Sequence, residues 1–136
     1  MKGSAIAVTM TLSAPALAAP DTAERAAILD VARKPAELAL SKPVRFRVRT
    51  LRIEGGWAFL LSSMVEPDGR PLSYRGTSLA EAARHGAVSG DYVALLLRRQ
   101  GGAWRVVAHA VSPSDAVWET WPDEHSAPPA LFRTGP

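Results

Sequence analysis

Two stretches of alternating apolar residues restrict the fold of this chain more than any other feature of the sequence. Each stretch is interrupted by a Gly-Gly pair, Gly55-Gly56 in the first and Gly101-Gly102 in the second, and a tryptophan follows closely. Alternation is typical of strands with one buried face, and Gly-Gly supplies the positive φ that a two-residue hairpin turn requires. The sequence therefore predicts two antiparallel β-hairpins.

The apolar positions change phase within the first strand of the first hairpin. They are even-numbered up to Val48 and odd-numbered from Leu51 onward. A simple one-residue slip would turn one set of side chains toward solvent. We therefore expect a β-bulge or bend near residues 49–51.

A helical segment precedes the first hairpin. Asp21 can cap its N-terminus, and apolar residues recur at helical spacing over residues 27–32. Pro35 disfavours helical geometry at Lys34, so we expect the regular helix to end there.

Two shorter helices are expected further along the chain. Ser78 and Glu81 have capping-box spacing, which predicts a helix over residues 79–85. A last short helix holds Trp118 and Trp121, and residues 122–136 are expected to be a loop. The order of elements predicts an α+β fold, in which the N-terminal helix packs on a curved, four-stranded antiparallel sheet.

The N-terminus has the pattern of an export signal. Lys2 precedes an apolar run over residues 5–12, and Ala16-Leu17-Ala18 provides small residues for cleavage. We expect residues 1–18 to be a signal peptide cut near Ala18. Residues 19–136 are then a single domain, periplasmic or secreted, with no transmembrane segment.

Composition removes several function classes. The chain has no cysteine, which excludes a disulfide framework and a thiol nucleophile. Its three histidines show no ligand spacing, so we expect neither a metal site nor a cofactor. Without the leader the chain holds 15 basic and 13 acidic residues. This small net charge gives no reason to expect a nucleic-acid partner.

An arginine stripe is the sharpest candidate binding feature. Arg45, Arg47 and Arg49 alternate along one predicted strand, so they project from one face about 7 Å apart. Arg52 joins them or points elsewhere, depending on the bulge. Guanidinium groups at this spacing can hold carboxylates, phosphates or sulfates. The alternative is a solvated strand face whose arginines pair with neighbouring acids and deter aggregation.

Two tryptophans form a second candidate. Trp118 and Trp121 are three residues apart on the last short helix and share one face. They form either an aromatic platform for a sugar or a partner protein, or a lid that folds back on the sheet.

A pocket between helix and sheet is the third candidate. His109 lies on a predicted strand in an apolar setting, where we expect it to be half-buried. Together with Tyr92 and Asp115 it can line a small-molecule or catalytic site, with Asp115 orienting the imidazole. No nucleophile is evident, so the sequence indicates no complete catalytic set.

Several runs of this chain resemble those of small exported proteobacterial proteins. The runs are residues 25–30, 44–48, 56–59, 95–99 and 104–107. The order of elements over residues 21–111 also resembles a minimal cystatin-like or nuclear-transport-factor-like fold. The resemblance implies one helix packed in a curved sheet. A full nuclear-transport-factor-like cone has more helix before its sheet, and an enclosed pocket with an acidic or histidine base.

These features together predict an exported, non-enzymatic binding or accessory protein. Its partner is expected to be an envelope protein or an anionic glycan, and an inhibitor-like or immunity-like role belongs to this class. The alternative is a small-molecule-binding domain or a small enzyme with its pocket near His109.

Overall fold

The computed structural model describes residues 22–86, 91–113 and 115–133 of the chain. The predicted leader and the Asp21 cap lie outside these residues. The helices are α1 (Thr22–Leu40), α2 (Ala80–Arg84) and α3 (Trp121–His125). The strands are β1 (Arg45–Glu54), β2 (Trp57–Val65), β3 (Tyr92–Gln100) and β4 (Ala103–Val111). Two 3-10 turns, Val117–Thr120 and Pro129–Phe132, flank α3.

The strands form an antiparallel sheet in chain order, β1-β2-β3-β4. The tight connection from β1 to β2 is Gly55-Gly56, with φ values of 58° and 83°, as a turn between twisted strands requires. Gly101-Gly102 makes the same connection between β3 and β4. Both predicted hairpins, and with them the α+β fold, are confirmed.

Two bulges interrupt the pairing of the strands. The first lies between Val48 and Thr50 of β1, as the phase change predicted, and leaves Arg49 as the extra residue. The second was not predicted. It lies in β4, where Val106 and Ala108 pair with consecutive residues of β3 and Val107 is left over. Each bulge lies on an edge strand, where bulges are most common.

Helix α1 extends past Pro35 to Leu40, so the prediction that it ends at Lys34 is wrong. Proline removes one backbone hydrogen bond from a helix. The buried stripe of Ile28, Ala32, Ala36 and Leu40 nevertheless continues across it at a spacing of four residues. Burial of this stripe against the sheet outweighs the local preference of the sequence.

The sheet is covered on both faces. Helix α1 packs on one face, over buried residues that include Leu60 and Leu95. The C-terminal segment, residues 117–132, packs on the other face, over Phe59 and Leu96. Residues 122–136 were expected to be a loop, yet α3 and the second 3-10 turn occupy much of this stretch.

The capping box predicted at Ser78 does not form, and α2 is shorter than expected. No side chain caps α2, and residue 79 occupies the cap position. The Ser78 hydroxyl instead donates to the Ala39 carbonyl oxygen, 2.5 Å away. The hydroxyl therefore ties the connection between the hairpins to the end of α1.

The stripe on α1 can be tested by truncating one side chain. Ile28 is fully buried, so Ile28→Ala should lower the free energy of unfolding by about 2–5 kcal/mol. Leu38 is 81% exposed on the same helix, and Leu38→Ala should change stability by less than about 0.5 kcal/mol. Urea unfolding of both variants measures the difference. Equal losses would contradict the packing described for α1.

Candidate functional site

The arginine stripe lies on β1, the first edge strand of the sheet. Arg45, Arg47 and Arg52 lie opposite odd-numbered residues of β2, one of which is Phe59. Directly opposed residues of an antiparallel pair point to the same face. The bulge therefore places Arg52 on the same face as Arg45 and Arg47, the face that carries the C-terminal segment. Arg49 stands at the bulge itself, and all four arginines are exposed.

The stripe has few partners within the protein. Arg45 Nη1 donates to the Pro67 carbonyl oxygen at 3.3 Å. Within the part of the chain that the structure describes, the side chains of Arg47 and Arg49 make no hydrogen bond and no salt bridge. The alternative interpretation was a solvated strand face whose arginines pair with acids on neighbouring strands and deter aggregation. In the described residues, such pairs are absent for Arg47 and Arg49.

Arginines at the far end of the sheet have a different role. The guanidinium carbon of Arg98 lies 4.8 Å from the ring centre of Trp57, and that of Arg99 lies 6.0 Å from Trp104. Arg99 also forms a salt bridge with Glu24 at 3.3 Å. Each tryptophan lies at this end of one of the two buried clusters with a cation over its ring, which stabilises the fold. These arginines are engaged and do not extend the stripe.

An open polar groove adjoins the start of β1. Its volume is about 730 Å³. Its lining residues come from the end of the helix-to-strand connection and from the loop after β2: Lys42, Glu66, Pro67, Asp68, Arg70, Pro71, Ser73 and Arg75. Because Pro67 accepts the hydrogen bond from Arg45, the groove and the arginine stripe form one continuous surface.

Glu66 organises this groove. Its carboxylate accepts hydrogen bonds from Lys42 Nζ at 2.6 Å and from the Ser73 backbone N–H at 2.9 Å. The bond from Lys42, followed by the bond from Ser73, holds the pKa of Glu66 below its ordinary value. Backbone and side-chain hydrogen bonds from Arg70 likewise lower the pKa of Asp68. Both carboxylates therefore accept hydrogen bonds within the loop after β2. The contact of Glu66 with Lys42 was not predicted from the sequence, because the two residues are 24 positions apart.

The two candidate tryptophans face the protein. Trp121 is 6% exposed and meets Phe59 edge-on, with 6.5 Å between ring centres. Trp118 is half-buried, and its ring centre lies 6.1 Å from those of both Phe59 and Tyr92. Phe132 completes the cluster at 4.8 Å from Phe59. The pair therefore forms the predicted lid, and its contacts leave Trp121 no open ring face for a sugar or a partner.

The third candidate site is not assembled. Tyr92 packs under Trp118 on the face of the C-terminal segment. His109 lies opposite Leu95, which belongs to the core beneath α1. The side chains of Tyr92 and His109 therefore leave the sheet from opposite faces. His109 is exposed, and the expectation that it is half-buried is wrong. Asp115 is also exposed, after the end of β4.

One polar contact escaped sequence reasoning altogether. The Tyr74 hydroxyl and the Ser112 hydroxyl lie 2.5 Å apart, although 38 residues separate them in the chain. Ser112 is buried, and its φ is 49°. Burial of Tyr74 itself raises the pKa of its hydroxyl. The contact fastens the connection between the hairpins to the end of β4. No local signal in the sequence marks such a pair.

Residues 22–86, 91–113 and 115–133 hold neither a cluster of metal ligands nor a helix that could cross a membrane. In these residues no group of three potential ligands lies close enough to hold a metal ion. No helix among them combines the length and apolar character needed to cross a membrane. Comparisons with protein-family models, curated proteins and solved structures found no match.

The Glu66 contacts predict a pH-dependent contribution to stability. Since the folded state lowers the pKa of Glu66, this contribution is present above the ordinary carboxyl pKa and is lost as the pH falls through the folded value. Glu66→Gln should therefore lower the melting temperature at about pH 7, and the difference from the parent should shrink toward about pH 3. Glu119→Gln removes an exposed carboxylate as the control. A difference that does not change with pH would refute this assignment.

The lid can be tested against the platform interpretation. Trp121→Ala should cost about 3–5 kcal/mol of unfolding free energy, because the ring is buried on Phe59. Val117→Ala, at a 37% exposed position of the preceding turn, should cost far less. Urea unfolding gives both values. A Trp121 variant as stable as the parent would return this tryptophan to the candidate binding residues.

Proposed function

We propose that this chain is an exported, non-enzymatic binding protein that holds an anionic partner in the cell envelope on its arginine stripe. One observation carries the proposal. Arg47 and Arg49 are exposed on an edge strand, and their guanidinium groups have no internal partner among the described residues. Export, to the periplasm or the medium, rests on the leader pattern in the sequence.

The energetics of the stripe favour an external anion. Arg45 and Arg47 lie two residues apart on one strand face, and two charges about 7 Å apart repel each other by about 0.6 kcal/mol in water. The protein accepts this repulsion without a neutralising carboxylate at Arg47 or Arg49 among the described residues. An anionic partner would remove the repulsion and gain hydrogen bonds from the planar guanidinium groups.

The position of the stripe also supports a macromolecular partner. The arginines follow one strand and continue into the polar groove beside Arg45, so the surface is elongated. A small ion would need only one or two of these groups. An acidic surface of an envelope protein or an anionic glycan can contact all of them, as an inhibitor-like or immunity-like accessory protein would require.

The proposal predicts that binding depends on the stripe. Arg45, Arg47 and Arg49 changed together to Ser should weaken capture of an envelope partner by about tenfold, since each exposed ion pair contributes about 0.2–1 kcal/mol. A control with Arg25, Arg84 and Arg105 changed to Ser removes the same charge from other exposed positions and should bind like the parent. Quantitative pull-down from an envelope extract measures both.

Salt dependence supplies a second readout for the same three proteins. Raising the ionic strength should release the partner from the parent and from the control variant, because exposed ion pairs are screened. Equal binding by all three proteins would contradict the proposed site. A measurable turnover that requires His109 would contradict the non-enzymatic class.

A further inference from the structure

We infer that the partner presents an acidic peptide segment in extended conformation, and that this segment adds to the open edge of β1 as a further strand. The inference rests on the proposed function, because it specifies the partner of the same stripe. Three features of β1 carry it: its backbone, the repeat of its arginines and its resistance to self-pairing.

The direction of the backbone groups identifies the donors on the open edge. The Met64 N–H of β2 donates to the Asp91 carbonyl at 2.6 Å, and the Gly56 carbonyl accepts from the Arg99 N–H at 2.8 Å. Even-numbered residues of β2 therefore face β3, and odd-numbered residues face β1, since strand backbone groups alternate.

The register then assigns the β1 residues. Four of them lie opposite even-numbered residues of β2: Phe46, Val48, Leu51 and Ile53. Their N–H and C=O groups therefore point away from β2, toward the open edge. Among the described elements, β1 pairs with β2 alone. The edge thus offers a row of backbone donors and acceptors of the kind that an added strand uses.

The arginines match the side-chain repeat of such a strand. Arg45 and Arg47 are two residues apart on one face, and Arg52 lies on the same face beyond the bulge. An added strand repeats its own side chains at the same spacing of about 7 Å. Acidic residues at every second position would therefore lie beside the arginines, where opposite charges attract across strands. A glycan can satisfy the arginines but has no peptide backbone to match the edge.

The same arginines select against a second copy of this chain. Strand β1 carries four arginines and a single acid, Glu54, so pairing two β1 edges would bring like net charges together, which is destabilising. The charge of the edge thus disfavours pairing with the β1 edge of a second copy and favours pairing with an acidic strand.

The test uses a peptide of alternating Glu and Thr, as long as β2, with the full chain. Two further peptides carry backbone N-methyl groups, one on every Glu and the other on every Thr. All three peptides have the same charge. In one methylated peptide the methyl groups replace the N–H groups that face β1, and in the other they replace the N–H groups that face solvent. We expect the first to bind about tenfold or more weakly than the unmethylated peptide, and the second to bind within about twofold of it.

Amide hydrogen exchange supplies a direct readout on the protein. With the unmodified peptide bound, the Leu51 and Ile53 amides should exchange about tenfold more slowly or better, because they gain hydrogen bonds. The Arg52 amide, which already faces β2, is the internal control and should change little.

The outcomes separate this inference from the proposed function. Equal binding of all three peptides, with no added protection at Leu51 and Ile53, would show attraction by charge alone. That result overturns strand addition and leaves the proposed function standing. Stripe-dependent binding of an anionic polysaccharide without binding of the peptide does the same. If neither the peptide, the polysaccharide nor an envelope partner depends on the stripe, both proposals fall.

Discussion

Burial of both faces of the two central strands is the constraint on which the rest of this structure depends. Strand β2 and the first six residues of β3 are largely apolar, and most of these residues are buried. A sheet with two apolar faces must be covered twice. Helix α1 covers one face with its stripe around Ala32, and the C-terminal segment covers the other with Trp121 and Leu131. The central surface of the sheet is thereby occupied by the protein itself.

Because both faces of the sheet are covered, its open surfaces lie at the edge strands β1 and β4. The edge strands β1 and β4 alternate between exposed and half-buried residues, unlike the buried centre. An edge strand with unpaired backbone groups is a hazard for aggregation unless charge or a bulge protects it. In β1 both protections are present, as Arg47 and the bulge at Arg49. The arginines also make the edge a selective surface, because a partner of opposite charge is attracted while like edges repel.

Local patterns in the sequence were sufficient for the strands and insufficient for several contacts between them. The Gly55-Gly56 turn and the phase change after Val48 are properties of adjacent residues, so both were predictable. The extension of α1 past Pro35 was not, because it is stabilised by residues far away in the chain. The bulge at Val107 shows no phase change that would have marked it, and it bears on where His109 lies. The candidate site divides in the same way. The arginines alternate within one strand and were predicted, whereas the Lys42–Glu66 pair joins distant residues and was missed.

The sequence by itself determined which residues can form strands, where the chain turns, and that Arg45, Arg47 and Arg49 alternate. These are consequences of backbone sterics and of side-chain period, which act over a few residues. Only the tertiary structure decided that Arg52 shares the face of Arg45 and Arg47, that Trp121 is a lid, and that Tyr92 and His109 lie on opposite sides of the sheet. Those outcomes depend on pairing register and on which element covers which face. Both are chosen by the burial of the whole core, which no single segment of the chain contains.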